Sequence, residues 1–226
     1  MKKVRSNVDI LSHLGSFDGK VVVDVGCGTG ELVRDLAEQG AGAIGIDTEK
    51  MIREAEKAKR IENETYVSGT AEKLPLNDEL ADIITFFASL HHVPIDLMGR
   101  ALEEAERVLK PGGLIFCVEP VGEEGSYYEL VRLTGDERDI QAVAYQIINQ
   151  AMSFNLVLRE EYRIYFERSH EDYLKLNEVY VEDPDRRNQL EKKAGDITRR
   201  LSREAGMNFN DFRYQSICRV NILAKG

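Results

Sequence analysis

The sequence predicts a doubly wound α/β fold, a mostly parallel sheet with helices on both faces. Short apolar runs alternate with helical patterns through residues 20–120. The runs are β-branched and apolar on both faces, as strands buried in a parallel sheet are. Two further runs, near 156–166 and 212–224, bring the expected strands to seven. Alternation of strand and helix implies βαβ units, whose crossovers cover the sheet on both sides.

The first strand is Val21-Val22-Val23-Asp24-Val25. Next come Ala43 to Asp47, a weaker Thr65-Tyr66-Val67, Ile83 to Phe87 and Leu114 to Val118. Between them, a helix from near Gly30 carries Leu32, Val33, Leu36 and Ala37 on one face. A second carries Met51, Ala55 and Ala58. A third carries Leu97, Ala101, Leu102, Ala105, Val108 and Leu109, with Pro111-Gly112-Gly113 as its expected stop.

The pattern changes after Pro120. Residues 126–152 read as two helices, the second striped by Ile140, Val143, Ala144, Ile147, Ile148 and Ala151. Tyr162, Ile164 and Phe166 alternate in a strand. Asp183-Pro184 opens a long helix, with Asp183 suited to the N-cap and Pro184 to the first turn. Its stripe is Leu190, Ala194, Ile197, Leu201 and Ala205. Phe212, Tyr214, Cys218, Val220 and Ile222 share one face of a last strand.

Composition narrows the classes. Of 226 residues, 42% are hydrophobic and 31% charged, the balance of a soluble globular protein. No apolar run approaches the roughly 20 residues of a membrane span. No apolar stretch follows the basic start Met1-Lys2-Lys3, so a secretory signal is not expected. Cys27, Cys117 and Cys218 are too scattered for metal or disulfide spacing, and a reducing cytoplasm is the expected location. The net charge of −10 argues against a stable nucleic-acid partner. The basic residues from Arg186 to Arg203 are interleaved with acids and read as a solvated face.

The informative segment is Asp24-Val25-Gly26-Cys27-Gly28-Thr29-Gly30-Glu31. A buried strand runs into a glycine turn that opens a helix. Such turns let backbone approach a ligand closely. The dinucleotide fingerprint G-x-G-x-x-G fails here, because its last position falls on Glu31. A carboxylate there opposes a pyrophosphate at the helix N-terminus. Asp47, 17 residues beyond Gly30, stands where a carboxylate accepts hydrogen bonds from both hydroxyls of an unmodified ribose. The pocket therefore suits an adenosine-type ligand without a pyrophosphate. Asp24 adds negative charge suited to a cationic ligand.

These residues resemble the class I S-adenosylmethionine-dependent methyltransferases, in their small-molecule branch of the type 11 kind. Gly45-Ile46-Asp47-Thr48-Glu49-Lys50-Met51 resembles the second-strand motif. Ser68-Gly69-Thr70-Ala71-Glu72-Lys73-Leu74-Pro75-Leu76 resembles the segment that reads adenine, with Thr70 where the family often has Asp. Ala81-Asp82-Ile83-Ile84 through Leu90-His91-His92-Val93 resembles the fourth-strand motif. Arg107-Val108-Leu109-Lys110-Pro111-Gly112-Gly113 resembles the turn before strand five. The resemblance covers about residues 20–120, in the family's order.

It implies a Rossmann-like sheet of seven strands in one domain over 1–226, the two late strands forming an edge hairpin-like pair. Residues 20–120 would bind cofactor, and 121–226 would complete the sheet and cap the acceptor pocket. It implies S-adenosylmethionine as cofactor and methyl transfer to a small-molecule acceptor. Asp24, Gly26, Cys27, Gly28, Gly30, Asp47, Thr48, Met51, Thr70, Ala71, Glu72 and Phe86 would form the cofactor site. No metal ligands are expected.

Two residues are the catalytic candidates. His91 follows the fourth strand at the ligand edge and could deprotonate or orient an acceptor. Glu119 ends the fifth strand at the same edge and could bind a polar acceptor or a proton. Other expectations are a non-catalytic cofactor-binding scaffold, or a methyltransferase acting on RNA or protein. The oligomeric state and the methylated atom are left open by the sequence.

Overall fold

The computed structural model describes Met1–Gly226, apart from the side chain of His13. Eight strands form one sheet. In chain order they are β1 (Lys2–Val4), β2 (Val21–Val25), β3 (Gly42–Asp47), β4 (Glu64–Ser68), β5 (Ala81–Phe87), β6 (Leu109–Pro120), β7 (Leu156–Arg168) and β8 (Tyr214–Lys225). Their spatial order is β1-β7-β8-β6-β5-β2-β3-β4. β8 lies antiparallel between β6 and β7, and every other pairing is parallel.

The expected count of seven strands is corrected to eight. The addition is β1, parallel to β7 through Lys2↔Ile164 and Val4↔Phe166. Three residues with one apolar side chain carry no alternation to detect. Tertiary pairing, the burial of Val4 and a 2.6 Å Lys3–Glu167 ion pair create the strand. β1 is therefore the sheet edge, and the late antiparallel pair lies inside it.

Helices pack on both faces. They are α1 (Val8–Leu11), α2 (Glu31–Glu38), α3 (Glu49–Ala55), α4 (Met98–Val108), α5 (Tyr128–Val131), α6 (Arg138–Asn149), α7 (His170–Tyr180) and α8 (Pro184–Glu204). The two-residue period of the strands sorts their side chains between two cores. Val23, Ile84 and Ile115 face α4 and α6 through Ala101, Leu102, Ala144 and Ile148. Val22, Ile83 and Phe116 face α1 and α2 through Leu11, Leu32, Val33 and Leu36. A third core joins α5, α7 and α8 around Tyr127, Leu130, Tyr173, Ala194 and Tyr214.

Caps set several boundaries. Asp183 accepts from the Asp185 N–H at 2.9 Å, ahead of Pro184 at the start of α8. Ser169 and Asp172 form a reciprocal capping box on α7. α4 stops at Val108, before Pro111-Gly112-Gly113, because Leu109 already pairs with Ala81 in the sheet. α3 ends at Ala55, so Ala58 lies outside it.

β2 is the switch point of the winding. From it the chain runs to β3 and β4 on one side, then crosses to β5 and β6 on the other. Open α/β sheets bind ligands where the carboxyl ends of strands diverge in this way.

Candidate active site

The glycine loop leaves β2 with Gly26, Gly28 and Gly30 at φ 77°, 54° and 75°. Two of these glycines make room for protein. A Cβ on Gly26 would stand 2.4 Å from the Ser89 Cβ, and one on Gly30 would stand 2.3 Å from the Tyr66 hydroxyl. Gly28 faces the cleft, where the nearest atom to such a Cβ is the Tyr180 hydroxyl at 3.1 Å. Gly26 and Cys27 donate their N–H groups to the Ile46 carbonyl, tying the loop to β3.

Asp47 ends β3 beside this loop. One of its oxygens accepts the Gly28 N–H at 2.8 Å and the other accepts the Thr48 N–H at 2.6 Å. The half-buried carboxylate is thereby fixed, and each oxygen retains a lone pair for a ligand hydroxyl. Thr48 stands at the N-cap position of α3 in extended backbone, and Met51 is buried on that helix.

Asp24 sits differently. It is 3% exposed and accepts a 2.6 Å hydrogen bond from Thr85 of β5. Burial pushes its carboxyl up to about 7, with the Thr85 hydroxyl opposing and the Asp47 charge reinforcing. Asp24 is therefore a weaker source of negative charge than the sequence suggests. The raised value in the folded state means that the fold binds this proton more tightly than the unfolded chain does. The associated stability is present below about pH 4 and lost as pH rises through 7, by up to about 4 kcal/mol. Asp24→Asn is expected to flatten that decline in urea unfolding run from pH 4 to 8. An unchanged slope would contradict the assignment.

The Cys27 thiol is pushed up by burial and by the Asp24 and Asp47 charges, away from any nucleophilic role. Thr70, Ala71 and Glu72 follow β4, with Thr70 exposed and bridged to Lys73. Arg107 of α4 holds the downstream part of this segment. It donates to the carbonyls of Leu74 at 3.1 Å and Leu76 at 2.9 Å, while Glu104 accepts the Leu74 N–H at 3.0 Å. The Phe86 ring is fully buried in the core, so only its backbone is available at the cofactor side.

The structure brings the two catalytic candidates together. β5 ends at Phe87, and Ala88 turns at φ 49°. The Ser89 hydroxyl then donates to the Val25 carbonyl at 2.6 Å, fixing the exit of β5 against that of β2. A short 3-10 turn over Leu90–His92 follows. It sets His91 Nδ1 on one Glu119 oxygen, while the other accepts the Leu90 N–H at 3.0 Å. His91 and Glu119 are 1% and 4% exposed. His91 Nε2 lies 3.7 Å from a carboxylate oxygen of Glu137, just ahead of α6. Burial alone would lower the His91 imidazole; the Glu119 and Glu137 carboxylates outweigh it and raise it to about 9. His92, exposed on the same turn with its ring 4.1 Å away, is lowered by desolvation and by His91.

Next to this pair lies a small, open pocket. Pro120, Val121, Tyr127, Tyr128, Glu137 and Gln141 are among its walls. Of the tyrosines in the added helices, Tyr127 and Tyr128 reach it. Tyr173 packs in the third core, and Tyr145 donates to Glu161 beneath Arg219. Part of the basic face of α8 is engaged within the chain, through Arg199–Asp196, Arg200–Glu129 and Arg186 on the Thr134 carbonyl.

Sequence reading missed two participants. Glu137 is far from His91 in sequence and carries no motif. Tyr180 ends α7 over Gly28, held there by a Lys50–Glu182 ion pair, and only the tertiary course of the α7–α8 turn reveals it.

Residues 23–117 match a family described as a methyltransferase domain. A ubiquinone biosynthesis O-methyltransferase from Aliivibrio fischeri is 36% identical over 111 residues, 47% of this chain and 47% of that protein. A demethylmenaquinone methyltransferase from Staphylococcus aureus is 36% identical over 115 residues, covering 49% of this chain and 47% of its own length. The chain thus matches about half the length of these curated relatives. A solved S-adenosylmethionine-dependent methyltransferase from Aquifex aeolicus shares the fold, with a TM-score of 0.56 at 23% identity over 68% of this chain and 81% of that one. Among the described residues no helix is long and apolar enough to cross a membrane. The matched segment and its ordered motifs make residues 23–117 similar to a methyltransferase domain, carried on a doubly wound sheet.

Proposed function

We propose that the chain transfers a methyl group from S-adenosylmethionine to a small-molecule acceptor, a hydroxylated aromatic ring of the quinol class. The observation that carries this reading is the meeting, at one sheet edge, of the Asp47-anchored glycine loop with the His91–Glu119 pair and the pocket beside it. The bound cofactor supplies an electrophilic methyl on a sulfonium centre. The residues present fit it. Gly28 presents bare backbone to the cleft beneath the Tyr180 hydroxyl, and Asp47 holds unused acceptor lone pairs where a ribose would lie. Thr70, Ala71 and Glu72 would border the adenine. The cap turn at Tyr180 would shield the cleft from water.

Glu119 fixes the His91 ring by accepting at Nδ1, which leaves the Nε2 edge for the acceptor side. His91, held by Glu119 and facing Glu137 beside the pocket, would serve to orient an acceptor oxygen. Positioning of this kind supplies much of the rate in a displacement that needs no covalent help from the protein. Tyr127 and Tyr128 offer an aromatic wall to a ring.

The names of the two relatives support the quinol class of acceptor. The test is transfer of isotope-labelled methyl from the cofactor to a panel of dihydroxylated aromatics, beside bulk transfer RNA and unfolded protein. Label in the aromatic products is the expected result. Label confined to RNA or protein would move the reading to a macromolecular substrate, and no transfer to any acceptor would favour a scaffold.

A further inference from the structure

We propose that His91, His92 and Glu137 form a binding site for a borderline divalent transition cation, of the Zn²⁺ or Co²⁺ kind, at the mouth of the acceptor pocket. One ligand atom from each of the three residues lies within 4.8 Å of the other two. Two imidazoles and one carboxylate are a donor set that such ions favour, with further positions open to a ligand.

The spacing supports an ion in this place. His91 Nε2 and the Glu137 oxygen are 3.7 Å apart. That is beyond an N–H···O hydrogen bond of about 2.7–3.2 Å. Two donors bound tetrahedrally at about 2.0–2.1 Å stand roughly 3.4 Å apart, much nearer the distance seen. His91 is already oriented for the task, because Glu119 accepts at Nδ1 and aims Nε2 outward. A carboxylate behind a metal-binding histidine fixes the ring and raises its basicity. The ion takes the position that a proton on Nε2 holds in its absence. His92 is exposed and Glu137 half-exposed, so both can rotate to close the remaining gap.

An independent feature points into the same pocket. Gln141 lies one helical turn beyond Glu137 on α6 and is 7% exposed. Its side-chain oxygen has no hydrogen-bond partner among the described residues. A buried acceptor without a donor costs about 1–3 kcal/mol unless a ligand supplies one. A bound acceptor hydroxyl, or a water on the ion, would satisfy it. Resting on the methyl-transfer reading, the site would suit an acceptor with two neighbouring oxygens, one on the ion and one presented to the methyl.

The experiment uses the untagged full chain, stripped with a chelator and titrated with Co²⁺. The visible spectrum is the first readout and competition by Zn²⁺ the second, with cofactor binding measured in parallel. One equivalent of Co²⁺ with a visible band, displaced by Zn²⁺, is expected. His92→Ala and Glu137→Gln, both at solvent-accessible positions, should each weaken binding tenfold or more. A wild-type protein that takes up no stoichiometric Co²⁺ overturns the proposal, as does undiminished binding in both variants. Loss of ion binding with intact cofactor binding removes this site alone. Ion binding without cofactor binding removes the methyl-transfer reading and leaves the site standing.

Discussion

Replacing His91 with alanine is expected to destabilise the fold by about 3–5 kcal/mol, the scale of a broken buried ion pair. Glu119 is 4% exposed, and its charge is met by the His91 ring and by one backbone N–H from Leu90. Removing the ring leaves a carboxylate in the interior with that single donor. It also leaves a void in the buried turn that carries the fully buried Leu90. Urea unfolding in the presence of a chelator measures the loss. Adding Glu119→Gln to His91→Ala should restore part of it, because a neutral amide is cheaper to bury than an unpaired carboxylate. The two changes would then show a coupling energy above about 1 kcal/mol. A loss below about 1 kcal/mol for His91→Ala alone would show that the pair is solvated.

Asp47→Ala is expected to weaken S-adenosylmethionine binding by about 2–3 kcal/mol, or about 30- to 150-fold. Two losses combine. The ribose hydroxyls lose a charged acceptor, and the glycine loop loses the anchor at the Gly28 N–H. Asp47→Asn keeps one acceptor oxygen and should fall between the variant and the wild type. Calorimetric titration of proteins with matched melting temperatures measures the affinity. Affinity within threefold of wild type for the alanine variant would remove Asp47 from the cofactor site.

Much of the cofactor half was legible because its signals are local. The strand Val21–Val25, the glycine turn and the first helical stripe lie within 20 residues of one another. Hydrophobic period and turn chemistry decide such elements. β1 was not legible, since three residues without alternation become a strand only by pairing with β7. Gly26 and Gly30 read as space for a ligand, whereas the neighbours that demand them are Ser89 and Tyr66. Those contacts come from segments far along the chain. The pairing of His91 with Glu119 follows from the parallel register of β5 and β6, which brings Phe87 beside Val118. Glu137 and Tyr180 lie in the added helices, where no motif constrains position. Their place at the site is a tertiary fact.

On the proposed reading, S-adenosylmethionine binds in the cleft beside Gly28 and Asp47. Calorimetric titration of the purified chain with S-adenosylmethionine, its demethylated product and NADH tests it most directly. Saturable micromolar binding of the first two, with none for NADH, is the result expected. Binding of NADH with neither adenosyl ligand, in a folded sample, would contradict it.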